Sequence, residues 1–238
     1  MLGGVVIALT GFLGGASGFG QALTAAPLLL LLGFPLGFVV TANLAITAVT
    51  RLSQTVRFRG DVSARRAGLL VVGSIPGLYL GVLVLTGVDE SAIKLVAGVV
   101  VMVASALMLR SAPAPASGSS RGVTFLSGFG GGFLASTTSL NGVAPVLLLA
   151  RERLAPVSFM ADLSFYYVVS SVLGLALLAF TGALSLPALF PAVALWLPGS
   201  LAGNYLGASL GSRLPERLFR RLTLGLAFLA GALTAVSA

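Results

Sequence analysis

Two short runs of small and polar residues interrupt an otherwise apolar chain. They are G-G-A-S-G-F-G-Q-A-L-T-A-A-P, from Gly14 to Pro27, and A-S-T-T-S-L-N-G, from Ala135 to Gly142. The chemistry they offer is hydrogen bonding. A helix that starts near Gln21 or Gly142 presents free backbone N–H groups with partial positive charge. Ser17, Gln21 and Thr24 stand ready to add donors at the first run, and Ser136, Thr137, Thr138, Ser139 and Asn141 at the second. Gly18, Gly20 and Gly142 leave room for an oxyanion to approach the backbone. This combination suits a small anion. A single G-x-x-x-G is better explained by close helix packing, but polar breaks at matching places in two halves of a chain point to a binding site.

Other polar residues stand alone in apolar surroundings. Asp162 lies several residues inside a hydrophobic block, at the place that Asn43 takes in the first half. An intramembrane carboxylate is a functional candidate by default. It either carries a proton or coupling cation, or pairs with Arg151 or Arg153 near the membrane edge. Arg51, six residues before Arg57, either snorkels to the cytoplasm or lines the cavity as an anion guide. Tyr79 and Tyr205 occupy equivalent repeat positions, where they serve as phenolic donors or as packing residues. Asn204 is the stronger polar intruder, since its counterpart is Leu78.

Much chemistry is excluded. The chain has no cysteine and no histidine, so disulfides, thiol nucleophiles, Ser/His pairs and the commonest zinc ligands are absent. Asp162 is the one clearly internal acid, too little for a catalytic pair. No catalytic residue, metal site or cofactor is expected, and G-x-x-x-x-G-K-[ST] does not occur. Nucleic-acid binding is not expected either. The net charge of +8 comes from arginines in short connections without interleaved aromatics.

The elements that must position these residues are membrane helices. Of 238 residues, 57% are hydrophobic and 8% charged, against about 25% charged in soluble domains, and the mean hydropathy is +1.07. Apolar segments are expected at 2–33, 36–58, 66–87 and 91–109, then at 122–150, 155–180, 186–211 and 217–237. Arg110 to Arg121 is a Pro/Ser/Gly linker. It separates a first repeat (1–110) from a second (122–238), with the linker proper at 111–121. The N-terminus lacks a basic n-region and an A-x-A-type site, so no cleaved signal peptide is expected.

The two halves repeat. Gly73 to Gly81 (G-S-I-P-G-L-Y-L-G) matches Gly199 to Gly207 (G-S-L-A-G-N-Y-L-G) at six of nine positions. Ala42-Asn43-Leu44 echoes Ala161-Asp162-Leu163, and Gly11-Phe12-Leu13 echoes Gly132-Phe133-Leu134. Charge then sets the orientation. Arg57, Arg59, Arg65 and Arg66 crowd the connection between segments two and three, and Asp89 and Glu90 lie in the next one. In the second half the uncharged connection T-G-A-L-S-L-P comes first, and Arg213, Arg217, Arg220 and Arg221 follow. By the positive-inside rule the halves are inverted, with both termini outside the cytoplasm. Inversion needs an odd number of crossings per half. The long first segment of each half is therefore expected to turn back within the bilayer as a hairpin of half-helices. The expected fold is an all-α polytopic membrane protein of two inverted repeats, each a re-entrant hairpin plus three transmembrane helices.

The stretch G-F-L-G-G-A-S-G-F-G-Q-A-L-T-A-A-P-L-L-L-L-L-G-F-P, with G-x-x-P-G-x-x-x-G at Gly73 to Gly81, resembles the sulfite exporter TauE/SafE family. The resemblance covers both halves. It implies transport of sulfite, organosulfonates or related organic anions across a membrane, taken here as the bacterial cytoplasmic membrane. The second turn, S-T-T-S-L-N-G, departs from the more glycine-rich family pattern, which leaves the substrate open. The expected function is secondary transport of a small anion, with substrate held between the two turns and a proton or cation as a coupling partner. An anion channel and a non-transporting scaffold subunit are the alternatives. A homodimer through the Gly-rich third segments is compatible with the sequence.

Overall fold

The computed structural model describes residues 2–110, 119–152, 154–184, 186–210 and 216–237, apart from the side chains at 110, 186–188 and 216–222. Most of the linker, Arg153 and Arg213 lie outside the described residues, as do the side chains of Arg217, Arg220 and Arg221. The described chain is helical: α1 (Leu2–Ser17), α2 (Gly20–Leu31), α3 (Leu36–Arg57), α4 (Ala64–Gly87), α5 (Glu90–Arg110), α6 (Arg121–Thr138), α7 (Val143–Arg151), α8 (Pro156–Phe180), α9 (Leu186–Leu210) and α10 (Glu216–Val236). A single 3-10 turn, Arg59–Asp61, joins α3 to α4. The outer limits of the eight expected segments fall within two residues of these bounds. Among the described residues, α3, α4, α5 and α8 are each long and apolar enough to cross a membrane.

The first segment of each half is broken into two helices, and the breaks have local causes. α1 stops where Gly18 adopts a φ of 81°, a left-handed conformation that glycine enters without a Cβ clash. The Ser17 hydroxyl donates back to the Leu13 carbonyl (2.7 Å) and accepts from the Gly20 N–H (2.8 Å), so one side chain closes α1 and opens α2. α6 stops at Ser139, also left-handed at φ 57°, whose N–H bonds the Ala135 carbonyl at 3.0 Å. After each break the chain folds back on the helix before it. Gly20 lies against Leu13, and Gly131 against the Asn141 carbonyl and the Pro145 ring. With 16 and 12 residues, α1 and α2 are about 24 and 18 Å long, each short of a ~30 Å hydrocarbon core.

The helices associate across the halves. α1 packs along α9, α4 along α6, α5 along α10, and α3 along α8. The α5–α10 pair touches at one level, Gly98 against Gly231, and two other pairs are glycine seams in which backbones touch at several levels. A methyl group at Gly73 or Gly77 would strike the carbonyl oxygen of Phe125 or Phe129, and one at Gly128 or Gly132 that of Leu70 or Ser74. The other seam repeats the pattern: Gly203 faces the Ala8 carbonyl and Phe12 N–H as Gly77 faces the Phe129 carbonyl and Phe133 N–H. Gly207 likewise abuts the Phe12 carbonyl, where Gly81 abuts that of Phe133. Such close approach lets dispersion and weak Cα–H contacts hold helices together where no hydrophobic force acts between them.

The exterior is apolar, and the interior sets a polar stripe among buried apolar side chains. Val72, Ile75, Tyr79 and Leu83 form an exposed apolar stripe on α4, while Asn43, Thr47, Thr50, Arg51 and Gln54 form a buried polar stripe on α3. Both stripes follow the 3.6-residue period. At one end of the bundle the α3 N-terminus is held by Glu90, which accepts from the Leu36 N–H at 3.0 Å. Near that end Trp196 is buried edge-on against the stacked rings of Phe34 and Phe38, with centroids 5.4 and 5.7 Å away.

Candidate functional site

The buried stripe of α3 meets both helix breaks at the centre of the molecule. The Arg51 guanidinium donates to the Gly14 carbonyl beside the first break, through Nη1 and Nη2 at 3.4 Å. It also donates to Gln54 Oε1, one turn along the same helix, at 2.8 Å. Its charge lies over the Tyr167 ring, 5.4 Å from the centroid. The Tyr167 hydroxyl in turn abuts Gly142, the N-cap of α7, and Gly142 approaches the Ala22 side chain of α2. The starts of α2 and α7 therefore come together beside one cation.

Neutral polar groups complete the cluster. Gln54 donates to Asn204 Oδ1 (3.1 Å) and accepts from the Ser164 hydroxyl (3.1 Å). Gln21 donates to Ser200 (3.3 Å), Asn43 to Ser139 (2.7 Å) and Asn141 to Ser171 (3.4 Å). The Asn43 bond ties the α3 stripe to the left-handed residue of the second break. Several buried atoms have no hydrogen-bond partner: Arg51 Nε, the Tyr166 and Tyr167 hydroxyls, Asn204 Nδ2, Gln21 Oε1 and Asn43 Oδ1. Buried polar groups are nearly always paired, so this concentration of unpartnered atoms, four able to donate and two amide oxygens that only accept, calls for an explanation.

Arg51 is the unusual member. It is 1% exposed, and among the described residues no carboxylate pairs with it. Holding an ion out of water costs on the order of several kcal/mol even after relaxation. The cluster offers this one only carbonyls, an aromatic face and dipoles in return. Such an arrangement favours an anion brought in from outside.

The sequence candidates divide by helical phase. Gln21, Asn43, Arg51, Ser139, Asn141, Gly142 and Asn204 take part in the central contacts above; Ser17, half-buried, closes the first break, and Thr24, Ser136, Thr137 and Thr138 are buried beside the two breaks. Several of their hydroxyl protons are already committed. Thr24 donates to the Gly20 carbonyl, Thr137 to Phe133, Thr138 to Leu134 and Ser136 to Leu78. Gly18 faces Phe159 and Met160 on α8, and Gly20 packs on Leu13. Tyr79 and Tyr205 are not brought to the site. At 55% and 75% exposure they point outward, because the opposite faces of their helices, carrying Gly77 and Gly203, are turned into the glycine seams.

Asp162 is fully buried. Among the described residues its partners are Ser63 and Arg66 and not Arg151: it accepts from the Ser63 N–H at 2.7 Å and from both Nε and Nη2 of Arg66. Arg66 also reaches Glu152 at 3.6 Å, and Glu152 accepts from the Ser119 N–H at 3.3 Å. One ionic cluster thus joins the α3–α4 connection, the start of α8, the end of α7 and the chain entering α6. Beside it opens a cleft of about 300 Å³ lined by Ser63, Arg65, Arg66, Leu69, Ser119, Arg121, Thr124 and Glu152.

Sequence reasoning missed Gln54, Ser164, Tyr167, Ser171 and Ser200. The signal was present for Gln54, which extends the Asn43–Thr47–Thr50–Arg51 spacing by one more turn, and for Ser171, which follows Tyr167 at i+4. Among the described residues no group of histidines, cysteines or carboxylates could hold a metal ion.

Neither a curated protein nor a solved structure matches the chain. A family model does, over residues 4–234. That match takes in both breaks, both glycine seams and the buried arginine between them. Helices with apolar exteriors around a polar centre fit an integral membrane protein, and the family is one of transporters: the chain belongs to the sulfite exporter TauE/SafE family.

Proposed function

We propose that the protein is a secondary transporter that carries a small anion through a site formed where its two helix breaks meet. The observation that carries this reading is Arg51, a buried cation beside the first break with no acidic partner among the described residues, stacked on the Tyr167 ring and joined through Gln54 to Asn204. The membership of the family favours sulfite, an organosulfonate or a related organic anion as cargo. A channel would not require the free donors to converge on a closed polar centre.

The architecture proposed for this function is a pair of inverted repeats, each a re-entrant hairpin followed by three crossings. Two independent observations support it. Gly77 and Gly203 meet equivalent atoms of α6 and α1, as two copies of one unit related by a twofold axis would. The arginine-rich connection after α3 and the uncharged one after α8 are counterparts that the positive-inside rule sends to opposite faces. Both termini then lie outside the cytoplasm of a bacterial cell, and the hairpins enter the bilayer from opposite sides. Alternating access follows from gating about the fixed site.

With no nucleotide motif, the driving force is a gradient. A monovalent anion leaving an inside-negative cell gains ~2.3 kcal/mol per 100 mV, so export needs no coupled ion, whereas uptake does. Asp162 would have to shed Arg66 before carrying a proton, and its place in the ionic cluster favours an anchoring role.

Two experiments test the reading. Saturable uptake of labelled sulfite, sulfonates or carboxylates into proteoliposomes, lost in both Gln21→Ala and Asn141→Ala, is the expected result. No saturable anion flux under any imposed gradient refutes it. Because the chain has no cysteine, Gly60→Cys and Gly182→Cys report topology directly. Labelling of both from the same side of the membrane would rule out inversion.

A further inference from the structure

Among the described residues the buried polar centre carries one charge, contributed by one half only. The offset that aligns Asn43 of α3 with Asp162 of α8 aligns Arg51 with Ser170, a neutral residue that is fully buried. The carboxylate at the matching end of α8 is not available to Arg51, since Arg66 and the Ser63 N–H hold it. Among the described residues the groups that bind the guanidinium are neutral: the Gly14 carbonyl, Gln54 Oε1 and the Tyr167 ring. Of the atoms left without partners, Arg51 Nε, the Tyr167 hydroxyl and Asn204 Nδ2 are able to donate, and Gln21 Oε1, on a side chain that packs with Arg51 against Gly14, is an acceptor.

From this imbalance we infer that the site selects its ligand by charge, taking a monoanion with two or more acceptor oxygens and discriminating against both dianions and neutral isosteres. This rests on the site proposed above and names the class of ligand for it. A monoanion on Arg51 leaves the buried centre neutral, with its oxygens free to accept from Nε, Tyr167 and Asn204. A dianion leaves a net negative charge in a region of low dielectric, and a neutral ligand leaves the arginine uncompensated. Both residual charges are penalised for the same reason, so affinity peaks at one negative charge. An entropic or purely steric site would show no such peak. Tyr167 acts with Arg51 as a positioning residue, its ring fixing the guanidinium and its hydroxyl offering a donor beside Gly142.

The test uses the full chain in lipid nanodiscs and three probes that share a sulfonyl group: methanesulfonate, methanedisulfonate and dimethyl sulfone. Calorimetric titration should show saturable binding of methanesulfonate at least tenfold tighter than methanedisulfonate, and no binding of the sulfone. Arg51→Lys should weaken methanesulfonate binding and keep the order of preference. Arg51→Gln should erase the preference, and Tyr167→Phe should weaken binding several-fold without changing it. The ranking in the unmodified protein stands as a test even if Arg51→Gln does not fold. Equal or tighter binding of the disulfonate or the sulfone overturns the charge assignment while leaving the transport reading intact, as does an unchanged preference in Arg51→Gln. Failure of the unmodified protein to bind any of the three probes, together with absent anion flux in proteoliposomes, overturns both.

Discussion

Consider a single methyl group added at Gly77. In α4 this position faces α6 so closely that an alanine Cβ would overlap the Phe129 carbonyl oxygen and stand 2.8 Å from the Phe133 backbone nitrogen. Ordinary contact begins near 3.4 Å, and the obstructing atoms are helical backbone, which cannot swing aside as a side-chain tip can. The helices must therefore part by about 1 Å, enough to forfeit a quarter to a half of each facing dispersion contact along the seam. Overpacking typically costs about 1–3 kcal/mol, and a rigid obstruction belongs at the upper end, about 3 kcal/mol. Gly68 supplies the control on the same helix. Nothing lies within 4 Å of its added Cβ, so Gly68→Ala should stabilise by about 0.5–1 kcal/mol through backbone entropy alone. The two alanine variants should thus differ by about 4 kcal/mol in reversible unfolding in mixed detergent micelles. Gly203→Ala should match Gly77→Ala, because it meets the equivalent atoms of α1. A gap below about 1 kcal/mol between Gly77→Ala and Gly68→Ala would refute the backbone seam.

Three further outcomes follow from named contacts. Asp162→Asn should destabilise by about 2 kcal/mol, less than the ~3–5 kcal/mol of a fully buried pair, because Arg66 is partly exposed and can turn to water; a double-mutant cycle with Arg66→Ala measures the coupling. Ser139→Gly should be close to neutral in stability, since glycine accepts φ 57° but gives up the bond from Asn43, whereas Ser139→Val should cost at least about 1–2 kcal/mol from the same left-handed backbone; thermal unfolding ranks the two. Tyr79→Phe and Tyr205→Phe should leave stability within about 0.5 kcal/mol and anion flux unchanged, because both hydroxyls face outward; loss of flux in either would put those hydroxyls on the transport path.

Much of this was legible before any coordinates. The breaks were readable because glycine and short hydroxyl side chains near Gly18 and Ser139 are what a chain needs to leave a helix inside an apolar environment, and the helix limits follow from charge and turn residues. The tyrosines were not. Tyr79, Tyr166, Tyr167 and Tyr205 all sit in apolar helices, and composition cannot say which face turns inward. Only the partner helix decides: the glycine seams rotate Tyr79 and Tyr205 to the outside, and the α3–α8 pairing carries Tyr166 and Tyr167 to the centre. Arg66 as the partner of Asp162 was hidden for a related reason. Ninety-six residues separate the two, and only the fold of the α3–α4 connection over the start of α8 brings them together, where sequence distance points to Arg151 and Arg153.

The glycine seams have a consequence for how such a chain comes into being. Each seam joins a helix of one half to a helix of the other, α1 to α9 and α4 to α6. A half by itself therefore owns one side of each seam and completes neither; its glycine faces would be left against lipid, with no backbone to meet. During synthesis the first half must wait in the membrane, its α1 and α4 unmated, until α6 and α9 have been inserted. The two halves offer each other matching faces, since Gly77 and Gly203 meet equivalent backbone atoms of α6 and α1. The seam is thus also a rule for assembly, under which neither half is finished before its counterpart arrives.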